Sequence, residues 1–263
     1  MASQDLRRIV AGWGYEPNQI AVRKIPGDDG SIKIQMRVDL GVLQMEMSGR
    51  PDGAKPHGSE SLLAYHEDCL QKHVELNGTE LGFELSQEEC SALREEAVQY
   101  YHRYLAEFVL EDFEAVERDT ARNLRVLDIC SGHAGAESDR VILEQHRPYL
   151  VMMNARAAAH LALRRGAFRT AAARVKAAIR EIERLTLDAD DEEDYEDSVE
   201  VSILQSLARE IEARLPEDPL QKLEAELKRA VDEERYEDAA TLRDRINVMQ
   251  AQRTDVPNKK RHE

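Results

Sequence analysis

Several things are scarce in this chain, and each scarcity excludes a class of protein. Of 263 residues only three are cysteine, an odd number, and none forms a C-x-x-C pair. A disulfide framework is therefore excluded, and a reducing compartment is expected. No apolar run approaches the length needed to span a membrane. The opening residues Met1-Ala2-Ser3-Gln4-Asp5 lack the positive start and apolar core of a signal peptide. A cytoplasmic protein with no membrane partner is expected. Aromatics make up only 5% of the chain, which suits an Ala- and Leu-rich helical protein better than a β-sandwich. Basic charge is outweighed, giving a net charge of −16. A general affinity for nucleic-acid backbone is therefore not expected, because phosphate neutralisation dominates that binding. Neither G-x-x-x-x-G-K-[ST] nor G-x-G-x-x-G occurs, so the usual phosphate cradles are missing and no cofactor is implied.

What is present reads as an α+β chain, mainly α. A short helix over residues 3–11 precedes a break at Gly12 and Gly14 around Trp13. Ile20, Val22 and Lys24 alternate, and Pro26-Gly27-Asp28-Asp29-Gly30 is turn chemistry. Ile32, Ile34, Met36, Val38 and Leu40 then occupy even positions, whereas Leu43, Met45 and Met47 occupy odd ones. A period of two cannot change phase without a break, so a bulge or a meeting of two strands is expected at Gly41. Residues 1–58 are thus a small antiparallel β unit.

Residues 59–187 read as a helical domain. Ser59 or Ser61 caps a helix ending at Asn77-Gly78, and Ser86-Gln87-Glu88-Glu89 is a capping box opening a long helix through Phe108. Asp112 to Ile129 is its partner, with Val116, Leu124 and Leu127 inward. Ser138 to His146 is a further short helix stopped before Pro148. An alanine-dense pair over 149–185 breaks at Gly166. The placement of Ala159, Gly166, Phe168, Ala171 and Ala178 is similar to a single tetratricopeptide-type hairpin. The pair around Phe113 lacks the turn glycine, so no regular array is expected. Residues 188–217 form an acidic segment, solvated and without a basic residue up to Glu200, and a connecting helix with Val201, Leu204, Leu207, Ala208 and Ile211 on one side.

The strongest pattern lies at 218–251. Asp218 is a suitable N-cap, Pro219 fits the first helical position, and Gln221 completes a capping box. Leu220, Leu223, Leu227 and Ala230/Val231 form one apolar stripe. After the charged break 232–235, Tyr236, Ala239, Ala240, Leu242/Arg243, Ile246 and Met249 begin another. Two such helices fold back as an αα-hairpin, with Leu223 and Leu227 expected against Tyr236, Ala240 and Ile246. Residues 252–263 read as a disordered tail.

This hairpin resembles the UVR motif of the excision-repair helicase UvrB and nuclease UvrC, also found in some Clp-type ATPases and in a regulator of protein-arginine phosphorylation. The matching positions are Leu223, Leu227, Ala230, Glu234, Tyr236, Glu237, Ala239, Ala240, Leu242, Arg243, Asp244 and Ile246, about an eighth of the chain. Y-E-D-A-A after a charged turn also suits a tetratricopeptide-type hairpin, but the L-x3-L-x2-A and A-A-x-L-R-D-x-I helices in this order favour UVR. The helicase and nuclease signatures of the repair relatives, and the cysteine pairs of the regulator, are absent. The resemblance therefore implies docking without chemistry: an adaptor or regulator of a bacterial protein, in repair or in protein quality control. The partner could be a UVR-containing protein or a second copy. The residues implied in binding are Leu223, Leu227, Ala230, Tyr236, Ala239, Ala240, Arg243, Asp244 and Ile246.

Three other constellations are weighed against this. His66, Cys69 and His73 share one helix face, but Leu62, Cys69 and Leu76 define the same stripe and no second ligand pair is fixed, so no metal is expected. Cys130-Ser131-Gly132-His133 lacks any sign of an oxyanion hole, so no catalytic residue is assigned. From Arg156 to Arg180 seven basic residues occur with no acid between them. Arg164, Arg165, Arg169 and Arg174 are candidate anion contacts, which would make the chain a nucleic-acid-associated accessory factor with the acidic segment as an internal shield.

Overall fold

A computed structural model of the chain describes residues 5–17, 19–188, 198–215 and 219–254. The chain divides into two compact units between Ala213 and Arg214.

The first unit opens with a short helix α1 (Leu6–Val10), capped by the Asp5 carboxylate accepting from the Arg7 N–H at 2.9 Å. Three antiparallel strands follow in the order β1 (Ala21–Pro26), β2 (Ile32–Val38) and β3 (Gly41–Glu46). The change of phase at Gly41 is a hairpin. Val38 pairs with Gly41 across the two residues Asp39 and Leu40, so Ile34 faces Met45 and Met36 faces Leu43. Even positions of β2 and odd positions of β3 thereby share one face. That face packs Ile34, Met36 and Met45 on Ala106 and Leu110 of the helical region. The opposite face carries a hydrogen-bonded row, Arg23 to Gln35 at 2.8 Å and Gln35 to Gln44 at 2.9 Å. Arg37 and Arg23 donate to the carbonyls of Trp13 and Ile9, and the Arg23 guanidinium lies 4.1 Å from the centre of a Trp13 ring, so the N-terminal segment is held across this polar face.

Helix α2 (Leu62–Asn77) starts at Ser61, whose hydroxyl accepts from Ala64 N–H, and ends at Gly78 with φ +75. Helix α3 (Gln87–Val109) carries both halves of the Ser86/Glu89 capping box. It is followed by α4 (Phe113–His133), α5 (Glu137–Val141), a 3-10 turn (Glu144–His146), α6 (Arg147–Arg164), α7 (Phe168–Asp188) and α8 (Val199–Ala213). The short helix expected over 138–146 is thus broken in two. Pro148 sits in the first turn of α6, where its missing N–H leaves no bond unmade. Helix α4 packs on α3 and α6, α7 on α6, and α8 on both α7 and α6. Val201, Leu204, Ala208 and Ile211 of α8 are buried in the same core as Met152, Ala159, Ala171 and Val175. The helix grouped in sequence with the acidic segment is therefore part of the helical unit. Residues 189–197 of that segment lie outside the described residues.

The α3–α4 interface is charged. Glu96, Arg103 and Glu107 of α3 and Asp119 and Arg122 of α4 are all buried. Arg103 grips Asp119 with two bonds, at 2.6 and 3.0 Å, and donates to the carbonyls of Glu46 and Gly49. Glu96 pairs with Arg122 and accepts from the Leu62 N–H at the start of α2. Each of these side chains meets one of opposite charge, although Glu107 Oε2 and Arg122 Nε are buried with no hydrogen-bond partner among the described residues. This network ties the sheet, α2 and α4 to one face of α3. Burial, together with the nearby Asp119, pushes the Glu107 carboxyl up to about 8, outweighing the Arg103 and Arg118 guanidiniums beside it.

The second unit is a helix hairpin, α9 (Pro219–Asp232) and α10 (Tyr236–Thr254). Asp218 and the side chain of Gln221, the expected cap, lie outside the described residues. Helix α10 extends to Thr254, past the expected start of the tail at 252; the rest of that tail lies outside the described residues.

Candidate protein-docking hairpin

The turn of the α9–α10 hairpin is closed by backbone geometry. Arg235 N–H donates to Ala230 C=O at 2.8 Å and Glu234 N–H to Val231 C=O at 3.0 Å, with Glu234 in the left-handed region at φ +57. This pair of bonds is a Schellman closure, which satisfies carbonyls left over at the helix end. Arg235 then pairs with Glu233 at 2.8 Å and Asp238 at 2.7 Å, bracing the turn from outside. The same closure recurs at Gly166 between α6 and α7 and at Glu111 between α3 and α4. An aromatic residue follows two positions later in each case: Phe113, Phe168 and Tyr236.

The seam of the hairpin consists of Leu223, Ala230, Ala239 and Ile246, all buried, with Leu227, Leu242 and Met249 half-buried. This corrects the expected pairing. Ala239 lies in the crossing, whereas Ala240 is exposed and Tyr236 is 68% exposed. The steps from Ala239 to Leu242, Ile246 and Met249 are three, four and three residues, a single narrow stripe. Ala240 falls about 100° away from it. Two helices provide only one seam, and among the described residues of this unit no third helix covers Tyr236, in the first turn of α10.

Of the nine residues singled out for binding, Leu223, Ala230, Ala239 and Ile246 thus hold the hairpin together and Leu227 is shared. Tyr236, Ala240, Arg243 and Asp244 stand on its surface. Arg243 and Asp244 pair with each other at 3.1 Å and both remain largely exposed. A shallow depression is lined by Thr241, Asp244, Arg245, Val248 and Met249 of α10, with Val248 well exposed. Thr241, Arg245 and Val248 were not singled out in the sequence, because charges interrupt their stripe. Their spacing of four and three residues was the signal that could have found them.

The other constellations are placed differently. His66 is buried beside Glu89 with its Nδ1 4.0 Å from Oε1, and burial pulls its pKa down. His73 bonds instead to the Leu81 carbonyl at 3.1 Å, so the three-residue face does not converge. Among the described residues no group of three or more His, Cys, Asp or Glu side chains is arranged to hold a metal ion. Cys130 is fully buried, and burial with the neighbouring Cys90 pushes its thiol up to about 12. A thiolate is disfavoured there.

In the arginine-rich stretch, Arg156 lies over the Phe108 ring at 4.4 Å. Arg164 lies over Phe113 at 4.6 Å and pairs with Glu111 at 2.9 Å. Lys176 pairs with Glu212 at 2.7 Å. Arg165, Arg169, Arg174 and Arg180 are exposed, with Arg174 on a different flank of α7 from Arg169 and Arg180. The seven basic residues therefore do not form one patch.

Among the described residues no helix is long and apolar enough to cross a membrane. No curated protein and no solved structure matches the chain. Residues 217–252 match the family model described as the UvrB/uvrC motif, an element found in DNA-repair proteins that mediates protein interactions.

Proposed function

We propose that the chain is a non-enzymatic adaptor or regulator that docks a bacterial protein through its C-terminal hairpin, in DNA repair or in protein quality control. The observation that carries this reading is the UvrB/uvrC match at 217–252 on a hairpin whose Tyr236, Arg243 and Val248 face outward. An apolar ring and an apolar edge supply area to bury. The flanking charges Glu237, Asp238, Arg243 and Asp244 set orientation and partner choice more than affinity. The arginines of 156–180 support a nucleic-acid role less well, because Arg156 and Arg164 are already engaged by rings and by Glu111.

The test is capture from a bacterial lysate by three proteins: the full chain, the Arg243→Glu variant, and a chain ending at Leu215. Circular dichroism is used to confirm that the variant stays helical. The full chain should capture a defined partner, the variant less of it, and the truncated chain none. Equal capture by all three would make the hairpin a structural cap and end this reading.

A further inference from the structure

We propose that the cavity between α3, α4 and the bend joining α5 to α6 is a binding site for a small, uncharged, largely aromatic molecule carrying one or two hydrogen-bonding groups. The site lies wholly within the first unit and is independent of the hairpin. Its volume is about 700 Å³, within the range typical of sites that enclose small organic molecules. The walls are apolar: Ala97 of α3, Leu127 of α4 and Leu143 and Leu150 at the bend all contribute.

Against these walls stand polar groups that bond to no other described residue. Tyr104 is 1% exposed, yet its hydroxyl makes no hydrogen bond among the described residues. This hydroxyl opens onto the cavity, where it is available to a guest. The hydroxyls of Tyr101 and Tyr149 and the ring nitrogens of His102 and His146 line the same cavity and also make no hydrogen bond among the described residues. The apolar stretches of the wall offer water no partner, since each water needs two to four polar groups. A flat organic molecule suits it better. The Tyr101 and Tyr104 rings meet nearly edge-on at 5.5 Å between centroids, with Tyr149 6.4 Å from Tyr101, so they form an aromatic fan around the space.

The ligand's charge follows from the lining. Arg94 is the one permanently charged lining side chain, and Asp139 already holds it at 2.6 Å. No carboxylate lines the cavity. Burial pulls the pKa of His102 down, which disfavours its imidazolium form. A cationic guest would find no carboxylate in the lining, and an anionic one would find the permanent cation already paired, so an uncharged guest is favoured.

The experiment uses two fluorescent probes with the same ring body, neutral N-phenyl-1-naphthylamine and its sulfonated analogue 8-anilino-1-naphthalenesulfonate, titrated into the full chain. The neutral probe should bind saturably at one site, and the sulfonate roughly tenfold or more weakly, because its charge finds no free cation. Val98 and Ile142 mark the exposed mouth. Val98→Trp and Ile142→Trp, each checked for an unchanged unfolding midpoint, should abolish binding by filling it. Tyr104→Phe should weaken the neutral probe about 2- to 12-fold, the value of one neutral hydrogen bond, without lowering stability. Absence of saturable binding, equal or tighter binding of the sulfonate, or undiminished binding in both folded tryptophan variants would overturn the site.

Discussion

The α6–α7 and α9–α10 hairpins close in the same way and end up with different faces. Each uses a Schellman closure around a left-handed residue, Gly166 in one and Glu234 in the other, followed two positions later by an aromatic ring. In the first, α8 packs on both helices and α4 on α6, so that Met152, Ala159, Ala171 and Val175 are buried on more than one side. In the second, the described residues of the unit include no third helix, and burial stops at one seam of Leu223, Ala230, Ala239 and Ile246. A hairpin is thus a scaffold element or a docking element according to what covers its outer faces. Its own turn and crossing are alike in either case.

The comparison can be broken most severely with a charge in the crossing. Ala171→Glu places a carboxylate at a fully buried position and should destabilise the first unit by roughly 4 kcal/mol or more. Ala239→Glu should instead melt α9 and α10 alone, leaving the midpoint of the remaining helices where it was. Thermal and urea melts followed by circular dichroism read both. A single shared transition for the two variants would show that the hairpins are not separately stabilised.

Removing the cover is the next test. Leu204→Ala, fully buried on α8, should cost about 2–5 kcal/mol of first-unit stability. A cost under about 1 kcal/mol would mean that α8 is a loose appendage, as its place after the acidic segment suggests in sequence.

Charge separates the two regions as well. The first unit buries Glu107, whose raised folded pKa lies above its ordinary value near 4.5. Between those two values the folded state holds a proton that the unfolded state has lost. The group therefore opposes folding increasingly as pH rises from about 5 to 8. Glu107→Gln removes this term. The unfolding free energy of the variant minus that of the wild type should become more positive across this window, and a flat or falling difference would contradict the assignment. Burial of His66, His102 and His160 acts with the opposite sign, since each is pulled down, and cancels in that difference.

The smallest effect concerns the turns. Glu234→Gly relieves a non-glycine residue at φ +57 and should stabilise the α9–α10 hairpin by about 1 kcal/mol. Gly166→Ala should cost the α6–α7 hairpin a similar amount. Equal and negligible shifts in both melts would mean that the closures do not contribute as argued.

The elements were legible where periodicity and caps agree. Ser61, Ser86 and Gly166 stand where their chemistry puts them, and the parity switch at Gly41 is the two-residue hairpin of β2 and β3. The buried charges of α3 were not legible, although Glu96, Tyr100, Arg103 and Glu107 repeat at four, three and four residues, the spacing of a buried face. Charged residues at that spacing read as a solvated face unless their partners on α4 are known. Glu111 was missed as a turn residue for a similar reason, since glycine is the usual signal for the left-handed region and a glutamate gives none. At the candidate site the choice between Ala239 and Ala240 depends on a rotation of 100°, which a pattern accepting either alanine cannot resolve. The cavity under Tyr104 was invisible in sequence, because it is assembled from α3, α4 and the bend before α6.

The central claim, that α9–α10 is where a partner docks, is tested most directly by hydrogen exchange of the full chain alone and bound to the partner it captures. Added protection should be confined to residues 219–254 and centred on the outward face of α10 around Arg243 and Val248, with α6 and α7 unchanged. Added protection within residues 5–188, with none on the hairpin, would contradict it.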